Sequence, residues 1–125
     1  MQIEAQEIML VIGRLLLGCL FVVGGVRHLF IMPAVSQAMA ERGVPMPKLV
    51  LTVGTVFQIS AGLLLIFGVL LPFAALGLVV FTVTASVMFL SFWTMQGPAR
   101  DAAVNGWQSN LAIIGGLLIA AAHWL

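Results

Sequence analysis

Charge is what this chain has least of. Only 7% of its 125 residues are Asp, Glu, Lys or Arg, and the formal net charge is +1. A soluble domain carries about a quarter charged residues, so there is too little polar side chain here to clothe a water-facing surface. The near-zero balance, with no basic stretch interleaved by aromatics, excludes nucleic acid as a partner. Cysteine is scarce as well, with Cys19 alone. One thiol cannot make an intrachain disulfide, a CxxC redox pair or a cysteine zinc site. His28 and His123 stand far apart in the chain, and no metal site is expected from them. The opening MQIEAQEIML places Glu4 and Glu7 where a signal peptide would be positive. It reads as the start of a retained helix.

What is present is apolar. Hydrophobic residues make up 62% of the chain, and the mean hydropathy is +1.21. A membrane-spanning helix needs about 20 mostly apolar residues, because the hydrocarbon layer is about 30 Å thick and each residue rises about 1.5 Å. Four segments meet that length: about 8–30, 49–70, 72–92 and 107–124. The expectation is therefore an all-α protein, a four-transmembrane-helix bundle with antiparallel up-down order and short connections. No linker or composition shift divides it, so residues 1–125 form a single transmembrane domain.

The punctuation agrees. Pro45 and Pro47 precede the second segment, where a proline costs little. Leu71-Pro72 leaves almost no connection between the second and third, predicting a tight hairpin. The stretch 33–42 suits a short interfacial helix, with Gly43 as its C-terminal cap. An even number of spans puts both termini on one side. The two polar connections then share the other side and hold Arg27, Arg42, Lys48 and Arg100, whereas the terminal side offers Arg14 beside Glu4 and Glu7. The positive-inside rule places the connections in the cytoplasm and the termini outside. Arg14 lies roughly 9 Å inside the first segment, on the face of Glu4 and Glu7, with which it can pair.

Polar residues within the spans are the candidates for chemistry. Gly54, Gln58 and Gly62 recur at i, i+4, i+8, a stripe on which small residues let a neighbouring helix approach. Gln58 falls near the midplane and needs hydrogen-bond partners, because lipid offers none. It is either interhelical glue or a ligand contact, and it should face the bundle. Ala112, Gly116 and Ala120 form a second small-residue stripe, read as close packing. Arg27 and His28 end the first span on the side of Trp93 and Asn110. These are either snorkelling and interfacial-belt residues or the mouth of a site that takes a polar headgroup. The candidate pocket is thus Arg27, His28, Gln58, Trp93 and Asn110, suited to a quinone or another amphiphile with its tail in the bundle. No catalytic set accompanies it: there is no Ser-His-Asp or Cys-His group, no phosphate loop and no pair of intramembrane carboxylates.

Several segments resemble one family throughout. GRLLLGCLFVVGGVRHLF (13–30), FQISAGLLLIFGV (57–69), the close on SFWTMQGPAR (91–100) and NLAIIGGLLIAA (110–121) together resemble the DoxX family of small membrane proteins. The resemblance implies a four-helix membrane fold in a bacterial plasma membrane and a link to quinone-dependent oxidoreductase systems, with other membrane subunits as partners. It also shows departures. An acidic residue common in the second helix is replaced by Gln58, a His before Phe-Trp is absent where Leu90 and Ser91 stand, and a Lys before the Asn is Ser109. These losses remove titratable groups, so a non-enzymatic accessory or anchoring subunit of a larger complex stands beside the quinone-linked reading.

Overall fold

The computed structural model describes residues 2–122. They fold as α1 (Gln2–Phe30), α2 (Met32–Glu41), α3 (Pro47–Phe67), α4 (Leu71–Phe89), a short 3-10 turn (Phe92–Thr94) and α5 (Gly97–Ala122). The all-α expectation holds among the described residues. Local chemistry accounts for the boundaries. Pro33 sits in the first turn of α2, Pro47 in that of α3 and Pro72 in that of α4, where the missing N–H has no helical partner to lose. Gly43 (φ 80°) follows α2, and Val44 N–H donates to the Met39 carbonyl. Gly68 (φ 71°) closes α3 in the same way, with Val69 N–H donating to Leu64. Both are left-handed caps that glycine adopts without steric cost.

Three of the four expected spans are recognisable among the described residues, as stretches long and apolar enough to cross a membrane: Glu4–Phe30, Pro47–Phe67 and Leu71–Thr94. Helix α5 is not among them. It begins ten residues before the expected start at 107, because Gly97 (φ 66°) and Pro98 open it early. Its first half therefore carries Arg100, Asp101, Asn105, Gln108, Ser109 and Asn110. The apolar run 111–122 that follows is only about 18 Å long. The expected end of that span, with His123 and Trp124, lies outside the described residues.

Helices α1, α3, α4 and α5 form a ring in that order, with the fullest packing between α1 and α3 and between α4 and α5. The α1–α3 seam is built from glycine. A Cβ on Gly18 would stand 2.6 Å from the Gly62 carbonyl oxygen, and one on Gly62 would stand 3.0 Å from the Gly18 carbonyl oxygen. Further along, Gly25 packs under Ile59 and Gly24 under the Gln58 amide. Only bare backbone fits such an approach, the recurrent solution for helices in lipid. The stripe on α3 is Leu51, Thr55, Gln58, Gly62 and Leu65. It shares Gln58 and Gly62 with the expected one, while Gly54 turns toward Phe81 of α4. On α5, Gly116 packs on Leu17 and Ala120 is buried, but Ala112 is exposed.

The core occupies one half of the bundle. Leu65, Leu71, Leu78 and Leu117 have no exposed surface, and Phe21, Ala61, Ala74, Ala75, Ala120 and Ala121 surround them. These positions cluster toward the α3–α4 turn. Arg14 closes that end with its guanidinium against Gly68, at the negative end of the α3 dipole. No ion pair joins it to Glu7, and its Nε is buried without a hydrogen-bond partner among the described residues. The outer faces are apolar, with Leu16, Val23, Phe67, Phe73, Val80 and Ile119 each about two-thirds to three-quarters exposed.

The glycine seam yields a stability prediction. Gly18→Val should lower the thermal stability of the detergent-solubilised protein by about 1–3 kcal/mol, the usual cost of forcing extra volume into a packed contact. Gly115→Ala, where an added Cβ meets nothing within 4 Å, should be neutral or slightly stabilising. Melting curves of the two variants side by side check this.

Candidate functional site

Away from the core the bundle opens. Helices α3 and α4 are held together at one end by the 68–70 connection, while α1 draws α3 toward itself along the glycine seam. Between residues 49–58 of α3 and 81–89 of α4 lies a cavity of about 580 Å³. Val35 and Met39 of α2 wall it on one side and His28 of α1 on another. At the rim, the Arg42 guanidinium sits 5.3 Å above the Phe89 ring, a cation–π contact that ties the end of α2 to the end of α4. The walls are mostly aliphatic and aromatic, and no Asp, Glu, Lys or Arg lines them.

Four polar side chains interrupt that wall; the Thr84 hydroxyl is committed to the Val80 carbonyl, and the other three are not fully bonded. Gln58 is 5% exposed and its Nε2 donates to the Phe21 carbonyl of α1 at 3.0 Å. A carbonyl only accepts, so this bond fixes the amide with its nitrogen toward α1. Its Oε1 is buried and has no partner among the described residues. Thr55, one turn earlier and 2% exposed, has an unpartnered Oγ1. His28, half-buried, has an unpartnered Nδ1. All three residues line the cavity. Buried polar atoms nearly always find partners, so these three orphans beside the cavity are groups whose hydrogen bonding the bundle itself does not complete.

The structure brings together two of the five residues picked from the sequence, His28 and Gln58. The other three stand elsewhere. Arg27 points outward and is exposed, and Trp93 is 56% exposed and stacked edge-on against Phe92. Asn110 is half-buried and donates to Ser86 Oγ at 2.8 Å, joining α5 to α4. Trp107 reinforces that joint by donating from Nε1 to the Leu90 carbonyl at 2.7 Å. Both serve the α4–α5 seam and neither lines the cavity.

Sequence reasoning missed Thr55. The signal was there: Leu51, Thr55, Gln58, Gly62 and Leu65 follow the 4-3-4-3 spacing of a helix seam, which a strict i, i+4, i+8 count passes over. Gly54 acquires its meaning only from the fold, as part of the cavity wall facing Phe81.

The DoxX family model matches residues 9–91, a stretch that holds most of α1, all of α2 to α4 and every wall of the cavity. The chain belongs to the DoxX family. It is similar to inner membrane protein YphA of Escherichia coli (strain K12), with 26% identity over 117 residues, 94% of this chain and 84% of that protein. No solved structure matches it significantly. With three apolar spanning helices and an apolar outer face, this DoxX protein is an integral membrane protein.

The joint and the cavity separate experimentally. Asn110→Leu removes one bond between α4 and α5, worth about 0.6 kcal/mol in a membrane bundle. It should lower the melting temperature slightly. Thr55→Val removes an orphan hydroxyl at nearly equal volume, so it should leave stability unchanged or raise it by up to about 1 kcal/mol. Thermal unfolding in one detergent, without added ligand, checks both.

Proposed function

We propose that this protein holds a quinone or another amphiphile in the α1–α4 cavity and serves a quinone-linked oxidoreductase system as a membrane subunit. The observation that carries this reading is the cavity wall itself, aliphatic and aromatic for the most part, with His28, Thr55, Gln58 and Thr84 as its polar residues and no charged one. A lipid-soluble molecule with a polar head matches that arrangement, its ring among Phe81, Phe89 and Met88 and its head toward Gln58. The redox association rests on the family resemblance. No catalytic set accompanies the cavity, so any electron transfer would be completed by other subunits.

On this reading the protein is one domain with four spans, α5 being the fourth. At about 39 Å that helix is long enough to cross, and it packs along α4 through Asn110 and Trp107. Arg27, Lys48, Arg42 and Arg100 then gather at one end of the bundle, since Arg42 lies over Phe89 and Arg100 over Phe92. That end is the cytoplasmic one by the positive-inside rule, and the membrane is a bacterial plasma membrane, as the name of the YphA relative suggests. Partner subunits have an apolar surface available on α1, of whose spanning window 17% is buried. The accessory-anchor reading draws on that same surface.

Two experiments test the proposal. The protein purified from its native membrane should release an amphiphile into organic solvent, identifiable by mass spectrometry. Gly54→Leu, which grows a side chain into the cavity, should abolish that release and leave the bundle folded. An empty wild-type cavity, or a plugged variant that retains the same amphiphile, leaves only the anchoring role. For topology, a C-terminal alkaline phosphatase fusion should be active and a C-terminal green fluorescent protein fusion dark.

A further inference from the structure

Helix α5 turns a different kind of face away from the bundle. The other spans present large apolar side chains to the outside: Leu16 and Val23 on α1, Val53 and Val56 on α3, Phe73 and Val80 on α4, each at least 60% exposed. On α5 the packed side is Ala103, Leu117, Ala120 and Ala121, with Trp107 and Asn110 bonded to α4. The opposite side reads Asn105, Gln108, Ala112, Gly115 and Ile119, at the alternating three- and four-residue spacing of one helix face. Asn105, Gln108, Ala112 and Ile119 are exposed, and a Cβ on Gly115 would meet nothing within 4 Å.

Depth makes the two amides costly there. The apolar run 111–122 covers about 18 Å of the about 30 Å hydrocarbon layer, so a crossing α5 carries its preceding turns into the membrane. The Trp107 and Asn110 bonds place those turns beside Ser86 and Leu90, within the apolar stretch Leu71–Thr94. Those two side chains are satisfied by α4. Asn105 and Gln108 lie on the other side, where acyl chains offer no hydrogen-bond partner.

The symmetry of this face says what covers it. Copies of one chain insert in the same orientation, so a two-fold axis along the membrane normal sets each level of α5 against itself. A face suits that arrangement only when every level can meet its own copy. An amide both donates and accepts, so Asn105 and Gln108 can each pair with the same residue of a second copy. Ala112 and Gly115 carry too little side chain to hold the two backbones apart. Facing amides also fix the register of paired helices. Asp101 extends the stripe by one turn, about 15 Å before the apolar run, where water hydrates and screens the facing like charges.

We infer that two copies of this protein associate side by side in the membrane through α5, in parallel, along the stripe from Asn105 to Ile119. This rests on the reading of α5 as the fourth span and is independent of the cavity.

Disulfide trapping in native membranes tests it. Cys19 is the single cysteine, so Cys19→Ser clears the background. In that background Gln108→Cys and Gly115→Cys should each give a crosslinked dimer on mild oxidation. Facing positions of close-packed parallel helices fall within the about 7 Å between Cα atoms that a disulfide bridges. Val23→Cys and Val80→Cys, on the outer faces of α1 and α4, should stay monomeric. In detergent, Gly115→Leu should raise the dimer dissociation constant by about tenfold or more, the expected effect of forcing a large side chain into a packed contact. Each chain should stay folded, because the new side chain enters open space in the monomer. Gln108→Leu should weaken the dimer about threefold for each amide bond lost in lipid. Crosslinking at Val23→Cys or Val80→Cys as readily as at Gly115→Cys would overturn the choice of face. A Gly115→Cys adduct with a different protein would overturn the choice of partner, and failure of both α5 positions to crosslink would overturn the association. Termini found on opposite sides of the membrane would instead overturn the four-span reading on which the parallel arrangement stands.

Discussion

The close approach of Gly18 to Gly62 sets the geometry of the rest. Lipid gives apolar helices no reason to prefer each other over acyl chains, so association depends on backbones near enough for dense van der Waals contact and interhelical hydrogen bonds. At this crossing each glycine faces the other's carbonyl oxygen, and a single methyl on either would have to displace backbone. The same proximity brings the Phe21 carbonyl within reach of Gln58. An amide in mid-membrane is expensive unless bonded, and the seam supplies half of what it needs.

Because α3 is drawn against α1, it cannot follow α4 along its whole length. The connection at 68–70 pins the two together where Leu65, Leu71 and Leu78 are fully buried. Beyond the Phe57–Phe81 contact, with ring centroids 6.2 Å apart, they no longer fill the space between them. Helix α2 covers the gap. It is too short to span and half apolar, and it lies against α3 with Met39 buried and Arg42 anchored on Phe89. A packed half and an open half thus follow from one tight seam and one short connection.

Much of this was legible in the residues. Proline and glycine marked α2, the cap at Gly43 and, through Pro72, a tight hairpin between α3 and α4, because those signals act on the local backbone. The connection falls at 68–70, with α3 ending three residues before the expected end of the second span. The interior placement of Gln58 followed from a polar side chain among small ones. Residues at the polar end were harder to assign. Arg27, Trp93 and Asn110 share that end in sequence terms, but whether they meet depends on helix rotation. An apolar helix in lipid has no polar face to report that rotation. The start of α5 was placed too late for a related reason: apolar run length marks where a helix enters lipid, while Gly97-Pro98 marks where it starts. Thr55 was overlooked because a threonine usually bonds to its own helix, and only the fold shows that this one does not.

That exception bears most on what the cavity is for. Each buried polar group without a partner costs about 1–3 kcal/mol, and domains keep only about 5–15 kcal/mol in total. Three such atoms, on α1 and α3, are a large fraction of that margin. The bundle has the means to avoid the cost: Thr55 could turn to the Leu51 carbonyl, as Thr52, Thr82 and Thr84 turn to theirs. Gln58 could be a leucine, lengthening the apolar stripe from Leu51 to Leu65. Stability alone explains neither choice.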